Sequence, residues 1–242
     1  MNDIDSMNEK IIGELITSTN LDRIETKLLL RYVLKLSQPQ LIMQKDRVLT
    51  DEELARFNAL VEKRKLGIPI HYLLGYKEFY SREFIVTPKT LIPRPETELL
   101  VDVILQLTAK KSLLLNEYVE NKPKSNLRLL DLGTGTGCIA ITCKLEEPSL
   151  EITAVDNYVA TLKVAQDNAL KLGAAVEFIL SNWYENVTGK FDLIVSNPPY
   201  IEKNDPHLAS LSYEPQQALT DFADGMRCYK TIVYNTRRGI LK

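Results

Sequence analysis

Residues 196–201, Ser-Asn-Pro-Pro-Tyr-Ile, combine rigidity with unpaired hydrogen-bond acceptors directly after an apolar run. Pro198 and Pro199 fix two φ angles and remove two N–H donors, and Asn197 is held in an extended conformation because it precedes a proline. The segment therefore presents the Asn197 side-chain oxygen and the Pro198 carbonyl to a ligand. We predict that this ligand donates hydrogen bonds, as an amide or an exocyclic amine does, and that Tyr200 offers a ring face to its plane.

A second candidate site is the glycine-rich stretch that follows the apolar residues 127–132. Glycines at such a turn let the chain bend tightly and let a ligand approach the start of the next helix. Asp156 ends the next predicted strand, where a carboxylate can accept hydrogen bonds from the two hydroxyls of a ribose. The residues that we expect to bind this ligand are Gly133, Thr134, Gly135, Thr136, Gly137 and Asp156.

The spacing of these glycines distinguishes between two classes of ligand, dinucleotides and S-adenosylmethionine. Dinucleotide-binding turns of oxidoreductases have the pattern G-x-G-x-x-G, whereas Gly133, Gly135 and Gly137 follow G-x-G-x-G and are preceded by Asp131. This tighter pattern favours S-adenosylmethionine, which has a carboxylate and an amine but no pyrophosphate. An ordinary glycine-rich turn without a ligand is the remaining alternative.

Asn182 and Trp183 follow the third predicted strand, residues 176–182. Ligands of open parallel sheets lie beyond the carboxyl ends of the strands. These two residues, together with Asn197, are therefore candidates for binding the same ligand, the amide by hydrogen bonding to an adenine and the indole by packing on it. A role of Trp183 in the core is equally compatible with the sequence.

Taken together, the two sites indicate methyl transfer to an amide or amine nitrogen. Such a nitrogen is a poor nucleophile because its lone pair is delocalised. Hydrogen bonds from its NH2 group to Asn197 and Pro198 would align it with a methyl donor and favour the charge that develops during attack.

The order of the predicted elements places these sites in an α/β domain. Helical periodicity covers residues 8–66. Thr50, or alternatively Asp51, is the expected N-cap of the last of these helices, Glu53 completes a capping box with Thr50, and Gly67 is the expected stop. Strands then alternate with helices, which predicts a parallel, Rossmann-like sheet. We expect a helical domain over residues 1–67, a β-hairpin linker over 68–93, and a methyltransferase domain over 94–242 that ends with a helix at about 223–238.

Composition limits the cellular context and the partners. The net charge is −2 and the pI about 5.9, so no global basic field attracts nucleic acid. Three cysteines without a CxxC pair are typical of a reducing compartment, and His71 and His207 have no neighbours at metal-ligand spacing. We found no apolar stretch of about 18 residues. We therefore expect a cytoplasmic protein without a metal, a membrane segment or a direct nucleic-acid partner.

Four segments make this chain resemble the peptide chain release factor glutamine N5-methyltransferases: residues 92–102 (IPRPETELLVD), 131–141 (DLGTGTGCIAI), 196–201 (SNPPYI) and 213–219 (YEPQQAL). The resemblance implies methylation of the glutamine in the Gly-Gly-Gln motif of release factors, with S-adenosylmethionine as donor. It also implies donor binding by the glycine turn, Asp156 and Trp183, capture of the glutamine by residues 197–200, and contact of the helical domain with the release factor.

The chain departs from the family at two places. Asn182 stands where an aspartate is common, and we expect this to weaken donor binding. The family sheet has seven strands, the first four of them in the order 3-2-1-4, whereas this chain stops at about the fifth. We therefore expect an exposed edge at residues 191–197, and a chain that is either a fragment of a longer protein or less stable and less active than its relatives. An amine methyltransferase of DNA or RNA, and a truncated relative that binds without turnover, are the alternatives.

Overall fold

In the computed structural model the described residues are 10–118, 127–236 and 240–241, and the chain divides into two compact units, Met1–Gly75 and Tyr76–Lys242. Within the described residues, the helices of the first unit are α1 (Ile12–Ser18), α2 (Arg23–Leu34), α3 (Gln38–Met43), α4 (Asp51–Lys65) and α5 (Ile70–Leu74). Residues 8 and 9 of the predicted first helix lie outside the described residues.

Side chains cap several helices of the first unit, α4 among them. The Thr50 hydroxyl accepts a hydrogen bond from the Glu53 N–H, and the Glu53 carboxylate accepts one from the Thr50 N–H, which confirms the predicted capping box. Helix α4 ends at Lys65, and Gly67 follows with a φ of 95°. Because each cap satisfies backbone N–H groups that have no partner within the helix, local sequence defines these ends.

The second unit combines a hairpin, a sheet and flanking helices. Its strands are β1 (Tyr76–Phe79), β2 (Arg82–Ile85), β3 (Arg128–Leu132), β4 (Glu151–Asp156), β5 (Glu177–Leu180) and β6 (Leu193–Ser196). Its described α-helices are α6 (Glu98–Tyr118), α7 (Cys138–Glu146), α8 (Val159–Leu172), α9 (Gln216–Leu219) and α10 (Arg227–Thr236), with 3₁₀ turns at Pro95–Thr97 and Pro206–Leu211. None of the described helices is long and apolar enough to cross a membrane.

The four strands β3–β6 form a parallel sheet in the order β5-β4-β3-β6, which confirms the α/β fold and the expected order 3-2-1-4. Leu129 of the central strand packs in one buried cluster, whereas Leu130 and Leu132 pack in a second one. Successive strand side chains point to opposite faces, so an almost continuous apolar strand needs a core on both sides of the sheet.

The register of the sheet brings the candidate sites together. Leu132 at the end of β3 is paired with Val155 of β4 and with Ser196 of β6. The glycine turn, Asp156 and Asn197 each follow these paired residues directly. They therefore lie at the same carboxyl edge of the sheet, where parallel sheets bind ligands.

The division between the units differs from the expected domain boundaries. We expected the helical domain to end at residue 67 and a hairpin linker to extend over 68–93, but residues 68–75, including α5, belong to the first unit. The hairpin belongs to the second unit. There the buried Asn168 of α8 accepts a hydrogen bond from the Ile85 N–H (2.6 Å) and donates to the Ile85 carbonyl (3.0 Å), which joins β2 to the sheet domain.

The expected exposed edge of the sheet is partly paired. Phe191 donates a backbone hydrogen bond of 2.8 Å to the Ile240 carbonyl and forms an isolated parallel bridge with Leu241. Val195 of β6 is buried, and its neighbours Leu193 and Ile194 are half-buried. Helix α10 begins at Arg227 rather than at residue 223, and residues 237–238 of the predicted helix lie outside the described residues.

Candidate active site

The glycine turn after β3 adopts backbone angles that side chains disfavour. The φ angles of Gly133, Gly135 and Gly137 are 75°, 58° and 80°. A Cβ atom on Gly137 would lie 2.7 Å from the Ile141 Cδ1 atom. The turn is fixed to β4 because the N–H groups of Gly133 and Thr134 both donate to the Val155 carbonyl at 2.9 Å. Glycine is therefore favoured throughout the turn by conformation, and at Gly137 by space as well.

Asp156 is buried next to this turn and orients it further. Its Oδ2 atom accepts a hydrogen bond from the Gly135 N–H (3.0 Å), and its Oδ1 atom accepts one from the Tyr158 N–H (3.1 Å). Burial raises the pKa of this carboxyl, although the backbone N–H donors oppose the shift. Each oxygen has further acceptor capacity, so the carboxylate can still accept from two hydroxyl groups of a ligand.

Asp131 lies beneath the turn. It is fully buried, and its Oδ2 atom accepts a hydrogen bond of 2.7 Å from the Thr134 hydroxyl. Burial raises the pKa of Asp131 to about 7, although this hydrogen bond opposes the shift. The carboxyl thus holds one of the predicted ligand-binding threonines in place from below.

Asn182 and Trp183 follow β5 at the same edge of the sheet. The Asn182 Nδ2 group donates to the Glu185 carboxylate at 2.6 Å, which leaves its Oδ1 atom as an acceptor. Trp183 has a φ of 51° and is half-buried. Its ring packs partly against the cluster around Leu132 and also lines the cavity described next, so the two roles considered for it are compatible.

The carboxyl edge encloses a cavity of about 450 Å³, a size typical of small-molecule sites. We call it the donor cavity. The predicted residues that line it are Gly133, Thr134, Gly135, Thr136, Asp156, Asn182, Trp183, Asn197 and Pro199. A second cavity of about 300 Å³, which we call the acceptor cavity, is lined by Pro198 and Tyr200 among others. Both cavities share Leu91, Arg94, Thr97, Asn197 and Ala218.

The Asn-Pro-Pro-Tyr segment is thus divided between the two cavities, with Asn197 at their junction. Pro198 is buried, whereas Tyr200 is exposed to 56%. The Asn197 Nδ2 group donates a hydrogen bond of 3.2 Å to the Thr97 hydroxyl. The Asn197 Oδ1 atom remains available as an acceptor for a group bound at the junction.

Arg94 and Glu214 support the site but were not identified as site residues from the sequence. Glu214 is buried; its carboxylate accepts hydrogen bonds from Arg94 Nη2 (2.5 Å) and from the Ile92 N–H (3.1 Å). The contact joins residues 92–94 to a loop 120 residues later in the chain. Their opposite charges, in two of the motifs that carry the family resemblance, were the signal that could have found them.

The loop after α9 supports the Asn-Pro-Pro-Tyr segment from the other side. The Ile201 N–H donates to the Leu219 carbonyl at 3.0 Å. The Asp221 carboxylate accepts hydrogen bonds from the N–H groups of Ala223, Gly225 and Arg227. Burial alone would raise the pKa of Asp221, but these donors hold it below its ordinary value. The loop is therefore well fixed at the point where it contacts residues 200–201.

In the described part of the chain, no group of three His, Cys, Asp or Glu side chains is placed to hold a metal ion. A parallel sheet in this order, with a cavity of this size at its carboxyl edge, is typical of Rossmann-like ligand-binding domains, to which many methyltransferases belong. In agreement, residues 109–213 match the family model "Methyltransferase small domain", and residues 14–75 match "PrmC N-terminal domain".

The chain belongs to the release factor glutamine methyltransferase family. It is 40% identical over 224 residues to the release factor glutamine methyltransferase of Neisseria gonorrhoeae, covering 90% of this chain and 77% of that protein. The corresponding protein of Burkholderia pseudomallei is 40% identical over 231 residues, with coverages of 91% and 76%.

Two further similarities concern one longer relative and one protein that is distant in sequence. The bifunctional methyltransferase of Rickettsia bellii is 40% identical over 238 residues, but this chain spans only 43% of its length. The catalytic domain of hMettl16, solved in complex with a MAT2A 3′UTR hairpin, shares the fold with a TM-score of 0.50 at 15% identity, over 81% of this chain and 68% of that one. At this identity the likeness extends to the fold only.

Proposed function

We propose that this chain transfers a methyl group from S-adenosyl-L-methionine to the side-chain amide nitrogen of the glutamine in the Gly-Gly-Gln motif of peptide chain release factors. The observation that carries the proposal is the position of Asn197. Its free Oδ1 atom lies where a cavity suited to a nucleoside meets a second cavity lined by Pro198 and Tyr200. The family membership supports the same reaction.

The residues of the donor cavity fit S-adenosylmethionine by their chemistry. Asp156 can accept from ribose hydroxyls, the turn at Gly133–Gly137 leaves room for the ligand, and Asn182 and Trp183 offer an amide oxygen and an indole for the adenine. When bound, this donor supplies an electrophilic methyl group on a sulfonium. The chain's own contribution is to bind the donor and to exclude water from its reactive end.

At the junction the protein acts on the acceptor nitrogen. The Asn197 Oδ1 atom and the Pro198 carbonyl accept the two N–H groups of the glutamine amide, and Tyr200 covers its plane. These acceptors orient the nitrogen and stabilise the positive charge that grows on it, so they bind the transition state more tightly than the ground state. After transfer, the methylated nitrogen would carry two protons and a positive charge, and it would lose one of these protons to the solvent.

The partner follows from the same proposal. A net charge of −2 supports a protein substrate over free nucleic acid, whose phosphates bind basic surfaces. The helical unit Met1–Gly75 is proposed to contact the release factor. The reaction then takes place in the cytoplasm, where translation terminates.

Mass spectrometry tests the reaction directly. After incubation with S-adenosylmethionine, the tryptic peptide of a release factor that contains the Gly-Gly-Gln motif should gain the mass of one methyl substitution on the glutamine. A release factor with asparagine at this position should gain nothing, because withdrawing the amide by one methylene removes it from the reactive position. Methylation of DNA or ribosomal RNA in the absence of methylated release factor would refute the proposal.

Asp156→Ala is expected to weaken donor binding by about 1.5–3 kcal/mol, because charge-assisted hydrogen bonds to the ribose are lost. Calorimetric titration with S-adenosylmethionine measures this as a rise in Kd of about tenfold to more than a hundredfold. Asp167→Ala serves as the matched control, since this carboxylate pairs with Lys163 on the surface of α8. Unchanged affinity of the Asp156 variant would contradict the proposed donor site.

A further inference from the structure

Thr97 contacts the side chain at the centre of the proposed reaction. Its hydroxyl accepts the hydrogen bond of 3.2 Å from Asn197 Nδ2, and the two residues are 100 positions apart in the chain. Thr97 is buried to 7% exposure and lines both cavities. Thr97 is therefore placed to determine how Asn197 presents its amide.

The position of the Thr97 hydroxyl is itself well determined. Thr97 ends the 3₁₀ turn Pro95–Thr97, and its N–H donates to the Arg94 carbonyl at 3.0 Å. The turn is held by Glu214, which binds both Arg94 and the Ile92 N–H. A β-branched residue also has few χ1 rotamers. The segment that carries the hydroxyl is thus held by a buried carboxylate that binds the residues just before the turn.

The contact between Thr97 and Asn197 matters because an asparagine carboxamide has a donor at one end and an acceptor at the other. The two orientations of an asparagine amide have nearly the same shape but exchange an acceptor for a donor at the substrate. Only the orientation with Oδ1 at the junction can accept from the amine of a substrate; the reverse would place two donors face to face. In the productive orientation Nδ2 needs an acceptor on the opposite side, and the Thr97 hydroxyl supplies it.

We propose that Thr97 is a positioning residue for methyl transfer, which holds Asn197 with its Oδ1 atom towards the acceptor nitrogen. The inference rests on the proposed function, but it concerns a contact made by the chain alone. Without the hydroxyl, the half-buried Nδ2 group loses this acceptor, and the amide rotates or moves away from the junction. The effect falls on the chemical step, because the donor cavity retains its other residues.

The test compares Thr97→Val, which keeps the shape and removes the hydroxyl, with Thr97→Ser, which keeps the hydroxyl. We expect Thr97→Val to lower kcat about tenfold, the equivalent of one hydrogen bond, and Thr97→Ser to restore most of it. The Kd for S-adenosylmethionine is expected to stay within about twofold in both variants. Rates are measured at a temperature at which circular dichroism shows both variants folded.

Two further readouts separate positioning from general structure. In the Asn197→Ala background, Thr97→Val should cost nothing more, because residues that act through one contact are not additive. In an amide NMR spectrum, the side-chain NH2 signal that Asn197→Ala removes should shift in Thr97→Val and keep its place in Thr97→Ser.

The possible outcomes distinguish this inference from the proposed function. Wild-type kcat in Thr97→Val, equal losses in the valine and serine variants, or additive losses with Asn197→Ala would each overturn the role of Thr97 while leaving the methylation of the release factor intact. If the wild-type chain itself leaves the release factor unmethylated, the proposed function fails. The NMR comparison still decides whether Thr97 holds the Asn197 amide, since it needs no turnover.

Discussion

Asn197→Ala is expected to lower kcat for methylation of a release factor by about 10²–10³, or roughly 2.7–4 kcal/mol, the range found when one hydrogen bond to a developing charge is removed. The reason is that the Asn197 Oδ1 atom, left free because Nδ2 binds Thr97, holds the acceptor nitrogen in the transition state. Donor affinity should be almost unchanged, because Asp156 and the glycine turn remain. Single-turnover rates and calorimetric titration measure the two effects separately.

A suitable control is Asn186→Ala. The Asn186 Nδ2 group donates to the Leu180 carbonyl at 2.8 Å, and the residue lines neither the donor nor the acceptor cavity. Its removal should leave both kcat and the donor Kd near their wild-type values. Loss of donor binding in Asn197→Ala, with the chain still folded, would show that Asn197 serves the donor rather than the acceptor.

Gly225→Ala is expected to lower both the stability of the second unit and the rate of methyl transfer. Gly225 has a φ of 75°, and a Cβ atom there would lie 2.5 Å from the Tyr200 carbonyl oxygen and 3.4 Å from its carbonyl carbon. The obstacle is backbone, which cannot rotate away as a side chain does. We expect a loss of about 2–5 kcal/mol in the free energy of unfolding, the sum of left-handed strain and overpacking.

The clash in Gly225→Ala should also displace the Tyr200 carbonyl and thereby lower the rate of methyl transfer. Because Tyr200 follows Pro199 directly, a shift of its carbonyl moves the segment that presents Asn197 and Pro198. Displacement by about 1 Å can cost roughly a hundredfold in rate. Urea unfolding gives the change in stability, and initial rates at saturating donor give the change in kcat.

Gly173→Ala is the matched control for Gly225→Ala. It introduces the strain of a left-handed backbone angle without a steric clash. Gly173 follows the last residue of α8 with a φ of 73°, and a Cβ atom placed on it would meet no atom within 4 Å. This variant should carry only the conformational cost of about 1–2 kcal/mol and keep full turnover. Equal losses in the two alanine variants would mean that the contact between Gly225 and Tyr200 contributes nothing.

Local signals in the sequence were sufficient to predict several elements of the fold. The alternation of strands and helices, the glycine turn and Asp156 at the end of β4 were all predicted from residue type and spacing. Of the two residues considered as the N-cap of α4, the structure shows Thr50, with the predicted capping box to Glu53. These features are decided by backbone conformation and by neighbours a few positions away. The order of the strands, in contrast, came from the family resemblance rather than from periodicity.

The residues that support the site, in contrast, are defined by contacts between distant parts of the chain. Thr97 meets Asn197 across 100 positions, and Glu214 meets Arg94 across 120. Asn168 likewise joins the hairpin to the sheet domain, so the hairpin is not a separate linker. Periodicity reports which face of an element is buried but not which distant polar group will meet it. Such pairs form because the parallel register brings several loops to one edge of the sheet, where each buried polar atom must find a partner.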